Sequence, residues 1–362
     1  MLAIVGQTFY RNGVMERLLG RWATKWFPSR RAVSSGAVIL RYHRIADVAA
    51  DPYGLCVSPE RFSEQLALIR RNAVPMQLRE LVRLIEDETP VPKNAVVVTF
   101  DDGYADNLHV AKPLLERFEV PATVYITTAY TDHHREFWSD ELEQIFLAPP
   151  RLPRVLNLEQ KGLEIHTDLG AAEEDSQKES GCYQSWTFKD AHHPTARHKA
   201  FRTVHDSMKR LRHEERLAVL NSLGEWAGHR PVLRDNHRPL SSEELVHLAE
   251  GGLVEVGAHT HTHQVLSSLP ATLQRQEISE CKVYLEKLLG CPVKSFAYPY
   301  GHPNDFTQET VELLREEGFH SACSTVSGRV GHGVDLFRLP RMYVGDWDEE
   351  RFRGECLNGP LS

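Results

Sequence analysis

The sequence predicts an α/β protein built as a distorted parallel barrel. Short apolar, β-branched runs alternate with amphipathic helical segments. Seven or eight such runs can be counted, each separated from the next by a helix or a long crossover, which fits a closed barrel better than an open sheet. Several of the runs end in polar residues able to do chemistry, most plainly Val96-Val97-Val98-Thr99-Phe100-Asp101-Asp102-Gly103. A buried strand there delivers two adjacent carboxylates to its C-terminal edge.

Taken in order, Ala37 to His43 is the first strand, with His43 at the same rim as the carboxylates if the sheet is parallel. Ser58 to Arg71 is a helix opened by a Ser-Pro-Glu cap, with Phe62, Leu66 and Ile69 on one face. After the Asp-Asp strand, Ala105 to Phe118 reads as a helix that begins late or kinks at Pro113. Ala122 to Thr127 is the next strand. From 137 to 239 the rhythm fails, and this region reads as a polar, partly helical insertion without an independent core. Within it, Asp175 to Ser180 is an exposed loop and Met208 to Trp226 is helical. The rhythm then resumes with a helix capped by Ser241 to Glu244, a strand from Leu253 to Ala258, and a helix from Thr272 to Leu289 closed by Gly290. Val293 to Tyr298 is a strand, Phe306 to Glu317 a helix, His320 to Thr325 extended, and Phe337 to Val344 the last strand. The domain reading is a basic extension over 1–35, a barrel over 36–345 and a tail over 346–362.

Composition narrows the function classes. With 362 residues, 41% hydrophobic and 25% charged, the chain is an ordinary globular one, and its formal net charge of −8 gives no footprint for nucleic acid. Six cysteines stand singly, without a thiolate metal pattern, and read as reduced thiols. No stretch reaches the roughly 20 apolar residues of a membrane span. The N-terminus lacks the order of a secretory signal, so the expectation is a cytoplasmic protein. The basic segment bearing Trp22, Trp26 and Phe27 either packs on the domain or lies on the inner face of an anionic membrane.

Paired carboxylates that both stay ionised call for a cation nearby. Its other ligands are sought in Gly257-Ala258-His259-Thr260-His261-Thr262-His263. If this stretch stays extended, all three histidines share one face. If a helical turn follows His259, that residue and His263 converge at i and i+4 while His261 turns away. A turn after Gly257-Ala258 favours the second geometry. Two imidazoles with Asp102 suit zinc and other first-row divalent ions. The insertion histidines His192, His193 and His198 show no ligand pattern.

These motifs resemble those of the polysaccharide deacetylases with a NodB-homology domain, carbohydrate esterase family four. Thr99-Phe100-Asp101-Asp102-Gly103 resembles the first motif and His259-Thr260-His261-Thr262-His263 the second, which selects the i, i+4 register. Phe296-Ala297-Tyr298-Pro299-Tyr300-Gly301 resembles the third, and Leu40-Arg41-Tyr42-His43-Arg44-Ile45 the opening strand of many members. The resemblance implies a distorted (β/α)7 barrel and metal-dependent removal of an acetyl group from an N-acetylated sugar or glycan precursor. By it, Asp102, His259 and His263 are the ligands of a divalent ion, zinc being favoured, and Asp101 is the general base. Tyr300 offers a backbone N–H to the oxyanion, and Thr260 hydrogen-bonds near the ligands.

Two positions depart from the family pattern. The arginine that pairs with the catalytic aspartate in the third motif is here Ala297, and Arg341 is the candidate replacement. No Leu-x-x-His motif supplies a general acid, which leaves His43 and His302 as substitutes. The alternatives to a deacetylase are a glycan-binding barrel without turnover and an amidase acting on a small acetamide.

Overall fold

The computed structural model describes residues 36–170 and 186–358. The basic extension over 1–35, including Trp22, Trp26 and Phe27, the loop Asp175 to Ser180, and Cys182 lie outside the described residues. The other five cysteines are free thiols. Among the described residues no helix is long and apolar enough to cross a membrane.

Seven parallel strands follow one another around the sheet in chain order: β1 (Val38–Tyr42), β2 (Ala95–Phe100), β3 (Ala122–Ile126), β4 (Val254–Ala258), β5 (Ser295–Ala297), β6 (Ser321–Cys323) and β7 (Met342–Tyr343). A short extra strand, Val74–Pro75, pairs with the start of β2. A parallel bridge between Cys323 and Leu339 ties the lead-in of β7 to β6. The sheet therefore curls into the distorted (β/α)7 barrel expected of the sequence.

The first three strands are buried almost throughout on both faces, which is why β1 and β2 carry the runs Val-Ile-Leu and Ala-Val-Val-Val. Alternation still assigns each residue to a layer. Val38, Leu40 and Tyr42 of β1 pack outward with Val96, Val98 and Phe100 of β2 under the helices. Ala37, Ile39, Ala95, Val97, Tyr125, Ala297 and Cys323 fill the interior. The same parity turns Arg41, Asp101 and His259 towards the inside of the barrel at its C-terminal mouth. Active sites of (β/α) barrels sit at this end.

Helices cover the outside. Helix α1 (Pro59–Asn72) has Ser58 as its N-cap and Phe62, Leu66 and Ile69 buried. Helix α2 (Leu78–Glu86) adds Leu78, Leu81 and Val82 to the interior cluster. Between β2 and β3, the expected single helix is a π-helical turn, Asn107–Ala111, running into α3 (Lys112–Phe118). Pro113 falls in the first turn of α3, where its missing N–H costs nothing.

The insertion corrects the sequence reading. Helices α4 (Trp138–Leu147), α5 (Ala196–Met208) and α6 (His213–Ala227) and an antiparallel hairpin, Val155–Gln160 with Leu163–Asp168, enclose a hydrophobic cluster of their own. Phe146, Leu156, Phe201, Val204, Val219 and Leu223 lie at its centre. The region reads as polar because these residues occupy one face of helices otherwise dense in charge. It nevertheless forms one compact unit with the barrel.

Helices α7 (Ser242–Ala249), α8 (Ala271–Leu289) and α9 (Gln308–Glu316) complete the outer layer. Ser241 and Glu244 form a capping box on α7, and Gly290 closes α8 in the left-handed conformation. The last strand is shorter than expected, because Leu336–Arg338 forms a 3₁₀ turn before β7. Residues 346–358, expected as a tail, bury Phe352 and Cys356 in the outer core.

Candidate active site

Each candidate side chain hangs from a strand end, and the ladders fix where it points. Asp101 N–H donates to Tyr42 O at 3.1 Å, and His259 N–H to Ile126 O at 2.9 Å, so the β2 and β4 pairings run one residue past the strands. The chain then turns sharply. Asp102 has a φ of 75°, and Gly103 follows at 88°, where a Cβ would lie 2.7 Å from Ile126 Cδ1. Glycine is required there. At Gly257 a Cβ would come within 2.5 Å of the Tyr125 ring. Thr260, His263 and Tyr300 also adopt left-handed φ values of 65°, 58° and 60°. Each such residue stores strain of about 1–3 kcal/mol, and these turns carry four of them.

The chain after His259 is not the helical turn expected of the sequence but an irregular bend with left-handed φ at Thr260 and His263, and this bend brings His259 and His263 together. His259 Nε2 lies 3.5 Å and His263 Nε2 3.4 Å from Asp102 Oδ1. Among the described residues these three form the one group of ligating side chains able to hold a metal ion. Donors about 2.0–2.1 Å from a tetrahedral ion are about 3.4 Å apart, so the separations fit a zinc-sized ion. His259 donates its Nδ1–H to Ala297 O at 2.7 Å, leaving Nε2 for the ion. Burial pushes the His263 imidazole down to about 3, against the pull of Asp102, and a neutral ring is the ligating form. His263 N–H donates to Thr260 Oγ1 at 3.0 Å, which pins the turn. His261 points away, bonding through Nδ1 to Thr128 Oγ1 at 2.9 Å.

Asp101 faces Arg341. The guanidinium donates to Asp101 Oδ1 at 2.6 Å and to Oδ2 at 2.7 Å, and to Ser324 O at 3.0 Å. Arg341 is fully buried. Burial alone would raise the Asp101 pKa, but Arg341, with His259 and His43, holds it well below the usual carboxylate range. His43 Nε2 lies 3.9 Å from Asp101 Oδ2, and its pKa is lowered by burial, partly offset by Asp102 and Asp101. Tyr300 packs on the His263 ring at 4.8 Å between centroids, and its backbone N–H has no acceptor among the described residues. His302 is exposed on the following loop, turned into a hydrogen bond with Asn304 N–H at 3.3 Å, and does not line the cleft. Its candidacy as an acid ends there.

The cleft around these groups has a volume of about 460 Å³. The insertion supplies part of its wall through Trp138, Lys189 and His205, which the sequence reading left unassigned, and the barrel adds Arg41 and Tyr343. His205 stacks on Trp138 at 5.0 Å. Arg41 was not singled out from the sequence, although its place on the period-two face of Ala37, Ile39 and His43 could have pointed to it. The insertion residues carried no local signal.

Comparison with known proteins agrees with this architecture. The sequence profile of the polysaccharide deacetylases matches residues 88–168 and 187–322. A poly-beta-1,6-N-acetyl-D-glucosamine N-deacetylase of Escherichia coli K12 is 34% identical over 89 residues, 24% of this chain and 13% of that protein. The matched segment thus spans about an eighth of the length of that curated relative. The Streptococcus pyogenes deacetylase PplD, solved with acetate, superposes with a TM-score of 0.55 at 16% identity, covering 89% of this chain and 98% of its own. IcaB from Ammonifex degensii gives a TM-score of 0.54 at 18% identity, over 88% and 94%. These likenesses establish the shared fold. With the profile covering more than half of its length, the chain belongs to the polysaccharide deacetylase family.

Proposed function

We propose that the protein is a metal-dependent hydrolase that removes the acetyl group from an N-acetylated sugar or a glycan precursor. The observation that carries this reading is one carboxylate, Asp101, committed to Arg341, directly beside another, Asp102, that faces two imidazoles. A pure binding site has no use for the first. A divalent ion, zinc by preference, held by Asp102, His259 and His263 would polarise the acetyl carbonyl and acidify water.

The chain's own residues supply the rest. Asp101, kept ionised by Arg341, takes the proton of the attacking water. The Tyr300 N–H donates to the carbonyl oxygen as it gains negative charge. His43, whose ring burial favours in the neutral form, lies beside Asp101 and can take up the water-derived proton from that carboxyl and pass it to the leaving nitrogen. Trp138 and Tyr53 wall the cleft and limit water.

The test is acetate release by metal-loaded protein from short N-acetylglucosamine oligomers and nucleotide-linked acetamido sugars. Equal amounts of acetate and free amine are expected. Sugar binding with no acetate from any substrate would replace this reading with a glycan-binding barrel, and faster turnover of small non-sugar acetamides would replace it with an amidase.

A further inference from the structure

Neither the Arg41 guanidinium nor the Lys189 ammonium makes an ion pair with any described residue, although the fields of Asp101 and Asp102 reach Arg41. Arg41 is half-buried at the end of β1, on the interior face that also carries His43. Its guanidinium forms no hydrogen bond or ion pair with any described residue, and its Nε is buried without a partner. A half-buried guanidinium left this way forgoes the charge-assisted hydrogen bonds it could make to a charged acceptor. Burial first, and Arg341 second, push its pKa down to about 10, so it remains charged at neutral pH. Lys189 reaches the same place from the insertion. Its Nζ sits 3.6 Å from the centroid of the Tyr343 ring, and Arg41 Cζ lies 5.8 Å from that centroid. Both residues line the cleft that holds Asp101, Asp102 and the histidines.

The charges around them do not cancel. The Asp101 carboxylate is already met by Arg341, and Asp102 is turned to the imidazoles. Asp51, the acid whose field reaches Lys189, spends both oxygens on the amides of Leu55 and Cys56 at 2.9 and 2.8 Å. Two positive groups therefore face the cleft. The hydroxyl and carbonyl oxygens of a neutral acetamido sugar could accept hydrogen bonds here but carry no countercharge, whereas an oxyanion would meet the Arg41 guanidinium and the Lys189 ammonium with charge-assisted bonds.

We propose that the substrate is an acetamido sugar bearing a negatively charged group, a carboxylate or a phosphate, which binds between Arg41 and Lys189 against Tyr343. This rests on the deacetylase reading and names the class of sugar it acts on. It is compatible with the overall negative charge of the chain, because the positive field is confined to this wall of the cleft.

The experiment compares four probes: neutral di-N-acetylchitobiose, N-acetylglucosamine 1-phosphate, UDP-N-acetylglucosamine, and a disaccharide of N-acetylglucosamine with glucuronate. Binding is measured by calorimetry with and without added zinc, and acetate release with zinc. The expected result is that at least one anionic probe binds about tenfold or more tighter than chitobiose, even without zinc. That advantage should shrink between about 50 and 300 mM salt. It should also fall about tenfold in Arg41→Gln and severalfold in Lys189→Gln, the second being an exposed position that does not threaten folding. The phosphate and uronate arms decide which oxyanion is meant. Equal binding of neutral and anionic sugars, or an advantage preserved in both variants, would overturn the proposal while leaving the deacetylase reading intact. Anionic sugars that bind through Arg41 but release no acetate would overturn the deacetylase reading instead.

Discussion

Arg341 and Asp101 meet through two parallel hydrogen bonds of 2.6 and 2.7 Å, from opposite ends of the barrel sequence, with both groups buried. The arginine enters from the residue before β7, and the aspartate from the end of β2. Ala297 fills the third-motif position without charge, and Arg341 reaches the same carboxylate from another strand.

Removing this arginine strands a buried carboxylate. Arg341→Gln is expected to lose roughly 3–5 kcal/mol of stability at neutral pH, read from urea denaturation. Asp101 has its pKa held below its unfolded value of about 3.9, so the pairing stabilises at every pH above that and is lost only as pH falls through the lower folded value. In the variant, burial raises the carboxyl, and its deficit should shrink as pH is lowered from 7 towards 4. A deficit constant over that range would separate Arg341 from the Asp101 charge.

The two adjacent aspartates should fail differently. Asp101→Asn is expected to retain bound zinc and lose about 10²–10⁴-fold in kcat for acetate release. Asp102→Asn is expected to lose the metal. Elemental analysis beside acetate kinetics reads both, and equal metal loss in the two variants would contradict the division of roles.

The histidines make a register test. His259→Ala and His263→Ala should each reduce bound zinc by at least about tenfold, since each supplies one of three donors. His261→Ala should bind the metal as the parent does, because its ring bonds to Thr128 and lies 3.8 Å from Glu280. Metal loss in His261→Ala with retention in His259→Ala would require a different turn after β4.

Beneath the cleft, Asp140 accepts a hydrogen bond from the Tyr104 hydroxyl at 2.8 Å. Burial, only partly opposed by Arg44, pushes its carboxyl up to about 8. The folded pKa lies above the unfolded one, so ionisation costs stability increasingly from about pH 4 and reaches its full cost above pH 8. Asp140→Asn keeps an acceptor for Tyr104 and removes the charge. Its stability relative to the parent should therefore rise between pH 5 and pH 8, as measured by denaturation midpoints, and a flat difference would place the titration elsewhere.

The barrel was legible because its first three strands are buried on both faces and punctuated by helices with clear caps, such as Ser58 and Ser241. The group of Asp102, His259 and His263 was legible because its members lie in two short motifs at strand ends. Arg341 could be named only as a candidate, since its pairing with Asp101 spans 240 positions. His302 looked equivalent to His43 in sequence, yet it falls beyond the left-handed turn at Tyr300 and Gly301 and faces outward. The insertion core escaped detection because Phe201, Val204 and Leu223 are single-face residues among charges. The wall that Lys189 and His205 contribute exists only once that core has folded against the barrel.

The central claim is that Asp101 acts as a base beside a metal site to release acetate. Its most direct test is acetate release from N-acetylglucosamine oligomers and anionic acetamido sugars by the parent protein and Asp101→Asn, each stripped of metal and then reloaded with zinc. The account predicts release by the parent only after reloading, and release reduced at least about a hundredfold in the reloaded Asp101→Asn protein. Undiminished release by that variant, or by the metal-stripped parent, would contradict it.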